Sequence, residues 1–275
     1  MEWWEALLLG IVQGLTEFLP VSSSGHLMIF KELLGVDAEG FLDFTVTVHF
    51  ATVLSTIIVF WSVIWKLLKG LFAFKYNEET DYVFKIIVSM IPIAIVGLFF
   101  KDKVESLFGD NLFTVAVCLI ITAVILYVSD MSGKWVSAGN TAAKEHRNGI
   151  SYLQAFIVGL GQACAVAPGL SRSGTTIAAC LISGFDRRFA VKYSFIMSIP
   201  AVLGAAILEL KDFSTAALSG TEILYYVIGM AVAAIVGYIC IKTMLVIVRN
   251  KKFTIFSIYC LIIGALSIGG YFYLA

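Results

Sequence analysis

The run Gln13-Gly14-Leu15-Thr16-Glu17-Phe18-Leu19-Pro20-Val21-Ser22-Ser23-Ser24-Gly25-His26 interrupts an apolar stretch at residues 4–34. A second run, Pro168-Gly169-Leu170-Ser171-Arg172-Ser173-Gly174-Thr175-Thr176, interrupts another at residues 151–184. The apolar halves on either side are about 10–15 residues long, short of the roughly 20 that cross a bilayer. Pro20 and the Pro168-Gly169 pair stop a continuous helix at each break. Each region therefore reads as a re-entrant helical hairpin, entering and leaving on one face. Broken backbone at membrane depth is tolerated only where protein or water satisfies it, so a polar cavity is expected at the hairpins.

Outward from the breaks the chain is a membrane protein. Of its 275 residues 60% are hydrophobic and 14% charged, and the mean hydropathy is +0.94. Soluble domains run near 45–50% apolar and about 25% charged, so a soluble globule is excluded. With 19 basic and 19 acidic residues the net charge is zero, and nothing points to nucleic acid. The five cysteines, Cys118, Cys164, Cys180, Cys240 and Cys260, lie in apolar segments and match no disulfide or metal framework. The opening Met1-Glu2-Trp3-Trp4-Glu5 suits a membrane interface rather than a cleavable signal.

Six stretches are long enough to span: 41–66, 83–100, 112–129, 186–210, 222–248 and 254–274. Pro92 and Pro200 are expected to kink two of them. With six crossings, thirteen of the nineteen Lys and Arg fall in loops opposite the N-terminus and four on its own side. The positive-inside rule then puts both termini outside the cytoplasm.

The chain also repeats itself. At a shift of 149 residues, Gly10, Gln13, Ser22, Ser24 and Gly25 fall on Gly159, Gln162, Ser171, Ser173 and Gly174. Further on, Met90 meets Met230, and Cys118-Leu119-Ile120-Ile121 meets Cys260-Leu261-Ile262-Ile263. Residues 1–130 and 150–275 thus read as two repeats, each with one hairpin and three spans. Three crossings per repeat invert the second against the first, and such repeats place a site at their interface near the midplane. The expected fold is an all-α integral membrane protein with six transmembrane helices and two re-entrant hairpins in an inverted-topology repeat.

Ionisable groups at membrane depth are functional by default. Glu17, His26 and Arg172 stand in the hairpins, with Asp43 close behind them. Gln13 and Glu17 share a helix face, and a carboxylate plus a carbonyl suits a hard divalent cation such as Mg2+ or Ca2+. Ser22, Ser23 and Ser24 open a short helix beside His26. Hydroxyls at a helix N-terminus suit an anion, and a serine within reach of a histidine is a candidate nucleophile. Arg172, with Ser171, Ser173, Thr175 and Thr176, reads as a phosphate cradle. The competing reading pairs Arg172 with Glu17 or Asp43. His49 reads more as a structural residue than a cavity one, His146 as solvated, and Lys242 as snorkelling. The set suits phosphoryl transfer or hydrolysis.

At these two motifs the sequence resembles the undecaprenyl-diphosphate phosphatases, the bacitracin-resistance family of bacterial inner membranes. Gln13 and Glu17 match its first signature, Phe18 to His26 the stretch that follows, and Pro168 to Thr176 its second. The resemblance covers essentially the whole chain. It implies release of the terminal phosphate of undecaprenyl diphosphate, divalent-metal dependence, and a site open to the periplasm. Carried over, Glu17 with Gln13 would support the metal and Ser23 would be the nucleophile, with His26 as its proton-transfer partner. Arg172 would hold the diphosphate, aided by Ser171, Ser173 and Thr176, with Ser22 close by. The type-2 phosphatidic acid phosphatases are excluded: no Arg-Pro dipeptide occurs, and Ala178 stands where their histidine is needed. The rival function is a transporter or flippase of a polyprenyl phosphate. A channel is weaker, because the spans carry few polar residues. The expected partners are a polyprenyl diphosphate lipid, the bilayer and, as an open question, a second copy of the chain.

Overall fold

The computed structural model describes residues 1–36, 38–100, 103, 104, 106, 111–138, 149–209, 220–248 and 252–274. Eleven helices of more than one turn lie among the described residues, and no strand occurs among them. The expectations for Lys101, Lys144, His146, Arg147, Lys211, Arg249 and Lys251 lie outside the described residues.

The first break separates α1 (Trp3–Thr16) from α2 (Ser23–Leu34). A 14-residue helix is about 21 Å long, too short to cross the roughly 30 Å hydrocarbon core. The chain cannot continue helically past Pro20, and it restarts where Ser22 Oγ accepts the Gly25 N–H at 3.2 Å. The second break separates α7 (Tyr152–Cys164) from α8 (Arg172–Ile182). Ser151 and Gln154 close a capping box on α7, and Ser171 Oγ caps α8 by accepting the Gly174 N–H at 3.0 Å. Between them Gly169 turns at φ +87°, against Val115, where a side chain would meet backbone.

Six helices are long and apolar enough to cross a membrane. They are α3 (Ala38–Val59), α5 (Glu78–Phe99), α6 (Leu112–Ala138), α9 (Arg187–Glu209), α10 (Gly220–Ile247) and α11 (Thr254–Leu274). Pro92 and Pro200 sit inside α5 and α9, which run on past them. Their outward residues, such as Ile58, Leu98, Val124, Ile235 and Leu261, are large, apolar and exposed, as a lipid-facing surface requires. The first expected span, 41–66, is shorter than the sequence suggested. The helix ends at Val59, and α4 (Trp61–Leu71) follows with none of its residues buried. Trp61 stacks on Trp65, with Lys69 over the Trp65 ring, and such aromatic and cationic residues belong at the headgroup level.

The short helices pack on spans from the other half of the chain: α1 lies along α10, and α7 along α5. Small residues allow both approaches. A methyl on Gly10 would stand 2.6 Å from Gly229 O, and one on Gly159 would overlap Ser89 O. Helix α6 lies along α11, and α3 touches α9 and α10. Two apolar cores fill the body. One is built around Phe44, Leu27 and Leu119, the other around Tyr193, Phe195 and Ile177.

Candidate active site

The two breaks meet at one cavity of about 320 Å3. Glu17, Ser22, Ser23 and Ser24 reach it from the first hairpin, Pro168, Leu170 and Arg172 from the second, and Thr45 and His49 from α3. Hydrogen bonding joins the hairpins directly, since the Gly169 N–H donates to Ser24 Oγ at 3.2 Å.

Glu17 is the hub. It is buried, at 7% exposure, and its carboxylate accepts hydrogen bonds from three side chains. Arg172 Nη2 donates to its Oε1. Ser23 Oγ donates to its Oε2 at 2.6 Å, and Gln13 Nε2 to the same atom at 3.1 Å. His49 Nε2 stands 3.7 Å from that oxygen. The competing reading of Arg172, an ion pair with Glu17, is therefore realised. It does not remove Arg172 from the cavity, where its side chain is 17% exposed. A carboxylate this buried needs such partners, because desolvating an unpaired charge costs several kcal/mol.

The other expected site residues divide. Ser22 and Ser23 line the cavity, and Gln13 lies behind Glu17. Ser171, Ser173 and Thr176 do not line it. Ser171 caps α8, Ser173 Oγ donates to Leu19 O, and Thr176 Oγ1 donates to Arg172 O at 2.8 Å while also meeting Ser194. These hydroxyls hold the second hairpin to its neighbours. Asp43 does not line the cavity either. Lys242 is exposed on α10, 4.7 Å from the Tyr238 ring centroid.

His26 is buried outside the cavity wall. Its Nδ1 donates to Ser22 O at 2.8 Å and its Nε2 meets Tyr259 Oη at 2.8 Å, so both ring nitrogens are engaged away from Ser23. The histidine that reaches the cavity is His49, which donates from Nδ1 to Thr45 O at 2.8 Å and turns Nε2 toward Glu17. The sequence reading weighted His49 toward structure. A signal was present: Thr45, His49, Thr52 and Thr56 recur at helical spacing on an otherwise apolar span. Tyr259 carried no signal at all.

Among the described residues no three His, Cys, Asp or Glu side chains converge to hold a metal ion. The donors present are the Glu17 carboxylate and Gln13 Oε1, a buried oxygen with no hydrogen-bond partner. One carboxylate and one carbonyl do not make a closed protein cage. They do fit Mg2+, which is usually held by one or two carboxylates together with substrate phosphates and water.

A bundle of six apolar spans around a buried Glu–Arg–Ser cavity defines a multi-pass membrane protein with the groups to handle a phosphate. The chain belongs to the bacitracin resistance protein BacA family, whose model matches residues 6–266. A protein of Bacteroides fragilis named undecaprenyl-diphosphatase is 46% identical over 270 residues, 98% of each chain. Proteins of the same name from Christiangramia forsetii and Methanobrevibacter smithii are 41% and 40% identical, covering 98% and 94% of each chain.

Proposed function

We propose that this chain removes the terminal phosphate of undecaprenyl diphosphate, leaving undecaprenyl phosphate and inorganic phosphate. The reaction recycles a lipid carrier and underlies resistance to bacitracin. The observation that carries the reading is the convergence of Ser23, Glu17 and Arg172 from two separate hairpins on one cavity. Family membership and the names of the relatives agree with it.

In this reading Arg172 turns its fork of N–H donors from Glu17 to the terminal phosphate. Ser23 Oγ attacks that phosphorus while its proton passes to Glu17 Oε2, already its hydrogen-bond acceptor. The bond from phosphorus to the bridging oxygen breaks, and its electron pair leaves with undecaprenyl phosphate. Water then attacks the phosphoserine, the P–Oγ bond breaks, and the serine oxygen recovers its proton from Glu17. A divalent cation, when bound by Glu17 and Gln13 with the substrate phosphates, would neutralise charge on the phosphate oxygens.

The membrane setting belongs to the same proposal. The two hairpins enter from opposite faces as parts of an inverted repeat, supported by the reciprocal packing of α1 on α10 and α7 on α5. The Lys and Arg bias supports a bacterial inner membrane with both termini and the cavity mouth outside.

The test is phosphate release from a polyprenyl diphosphate by the purified chain in detergent with Mg2+ or Ca2+. Arg172→Ala should cost about 10²–10³-fold or more, the loss of one donor to developing phosphate charge. No release by folded wild type would refute the reading and favour a flippase.

A further inference from the structure

Ser22 is one of two non-glycine residues with a positive φ among those described; its angles are φ 72° and ψ 98°. That conformation is costly for a residue with a Cβ and persists only where its surroundings impose it. Ser22 immediately precedes Ser23, so its backbone sets where the Ser23 hydroxyl points.

The surroundings that impose it are visible. Ser22 O accepts the His26 backbone N–H at 3.2 Å and the His26 ring Nδ1 at 2.8 Å. A carbonyl only accepts, so Nδ1 carries a proton, and in the neutral ring Nε2 carries the lone pair. Tyr259 Oη, from α11, lies 2.8 Å from Nε2 and is therefore the donor there. The two rings are nearly parallel, 6° apart with centroids at 5.6 Å. Meanwhile the Ser23 proton is directed to Glu17 Oε2. His26 has no free nitrogen for Ser23.

We propose that His26 and Tyr259 are positioning residues: Tyr259 fixes the His26 tautomer, His26 clamps the Ser22 carbonyl, and the clamp aims Ser23 at Glu17. The inference rests on the diphosphatase reading for its kinetic consequence, and it departs from the proton-transfer role that the family resemblance implies for His26.

Three variants and one spectrum test it on the full chain. His26→Asn keeps a donor at the Nδ1 position and cannot titrate. It should retain phosphate release within about tenfold of wild type, whereas His26→Ala, which releases the Ser22 carbonyl and lets the Ser23 hydroxyl shift, should lose about 10²-fold. Tyr259→Phe keeps the ring and removes the hydroxyl. It should lower kcat three- to tenfold with KM and the pH profile unmoved. The 15N spectrum of histidine-labelled wild type in nanodiscs, assigned by comparison with His26→Asn, should show Nδ1 protonated and Nε2 as acceptor. A folded His26→Asn as inactive as His26→Ala would overturn the clamp. So would a Tyr259→Phe pH profile displaced along either limb, which decides the matter if His26→Asn does not fold. A spectrum with Nε2 protonated would overturn it as well. Wild type silent in the phosphate assay would refute the diphosphatase reading alone, and the nitrogen spectrum would still decide the clamp.

Discussion

Glu17 concentrates the chemistry of the molecule in one carboxylate. Its two oxygens receive Arg172, Ser23 and Gln13, and His49 stands beside them. Glu17→Gln removes the acceptor of the Ser23 proton and the partner of Arg172 together. Breaking a buried ion pair from one side costs about 3–5 kcal/mol, because the other charge stays buried. The single variant should melt at a lower temperature in detergent and lose phosphate release by at least 10²-fold. Glu17→Gln combined with Arg172→Ala should recover most of the melting temperature and none of the activity. A double variant no more stable than Glu17→Gln alone would show that the pair contributes little to the fold. At this scale the residue types were legible, since Glu17, Ser23 and Arg172 are polar residues in an apolar background. Their pairing was legible only as one of two alternatives. The directions of the hydroxyls were not. A buried serine or threonine bonds to whichever acceptor its neighbours offer, which is why Ser171, Ser173 and Thr176 hold the hairpin rather than line the cavity.

At the scale of elements, the hairpins depend on close helix contacts through glycine. Gly159 on α7 leaves no room for a methyl against Ser89 O on α5, and Gly10 on α1 is similarly close to Gly229 on α10. Forcing a methyl into a packed contact typically costs about 1–3 kcal/mol. Gly159→Ala should therefore lower the thermal midpoint in detergent. The same change at Gly97, which has open space around it, should leave the midpoint in place. Equal midpoints for the two variants would refute a tight contact at α7. Asp130 does comparable work within α6. It accepts Arg187 Nη2 at 2.9 Å and the Thr254 N–H at 2.7 Å, tying α9 and the start of α11 to α6. The broken apolar runs announced the two helix breaks, because Pro and Gly act locally. The break at Phe60 was not announced. The Trp61–Trp65 segment is apolar like the span before it, and the separation of α4 from α3 lies in the backbone of Phe60, at φ −100° and ψ 16°.

For the whole molecule, the proposed inverted arrangement of the two helix pairs makes a prediction about sides. The loops at Gly35 and Gly184 end the first and second hairpins. Gly35→Cys and Gly184→Cys, placed singly in a chain whose native cysteines are replaced, should react with an impermeant thiol reagent from opposite faces of the membrane. Labelling of both from one face would refute the inverted arrangement. Four of the native cysteines are buried and all five are unpaired, so their replacement removes no cross-link.

Six stretches long and apolar enough to cross a membrane, two broken apolar runs, and a carboxylate, a serine cluster and an arginine at the breaks were all legible in the amino-acid order. Those features follow from hydropathy, from the geometry of proline and glycine, and from the cost of charge in lipid, all of which act locally along the chain. That Glu17 holds Arg172 and Ser23 at once, that His49 enters the cavity, and that His26 turns to Ser22 and Tyr259 came from the packing of the helices. The physical reason is that a buried polar group must satisfy its hydrogen bonds. Its partners come from helices far away in the chain, with His26 and Tyr259 separated by 233 residues.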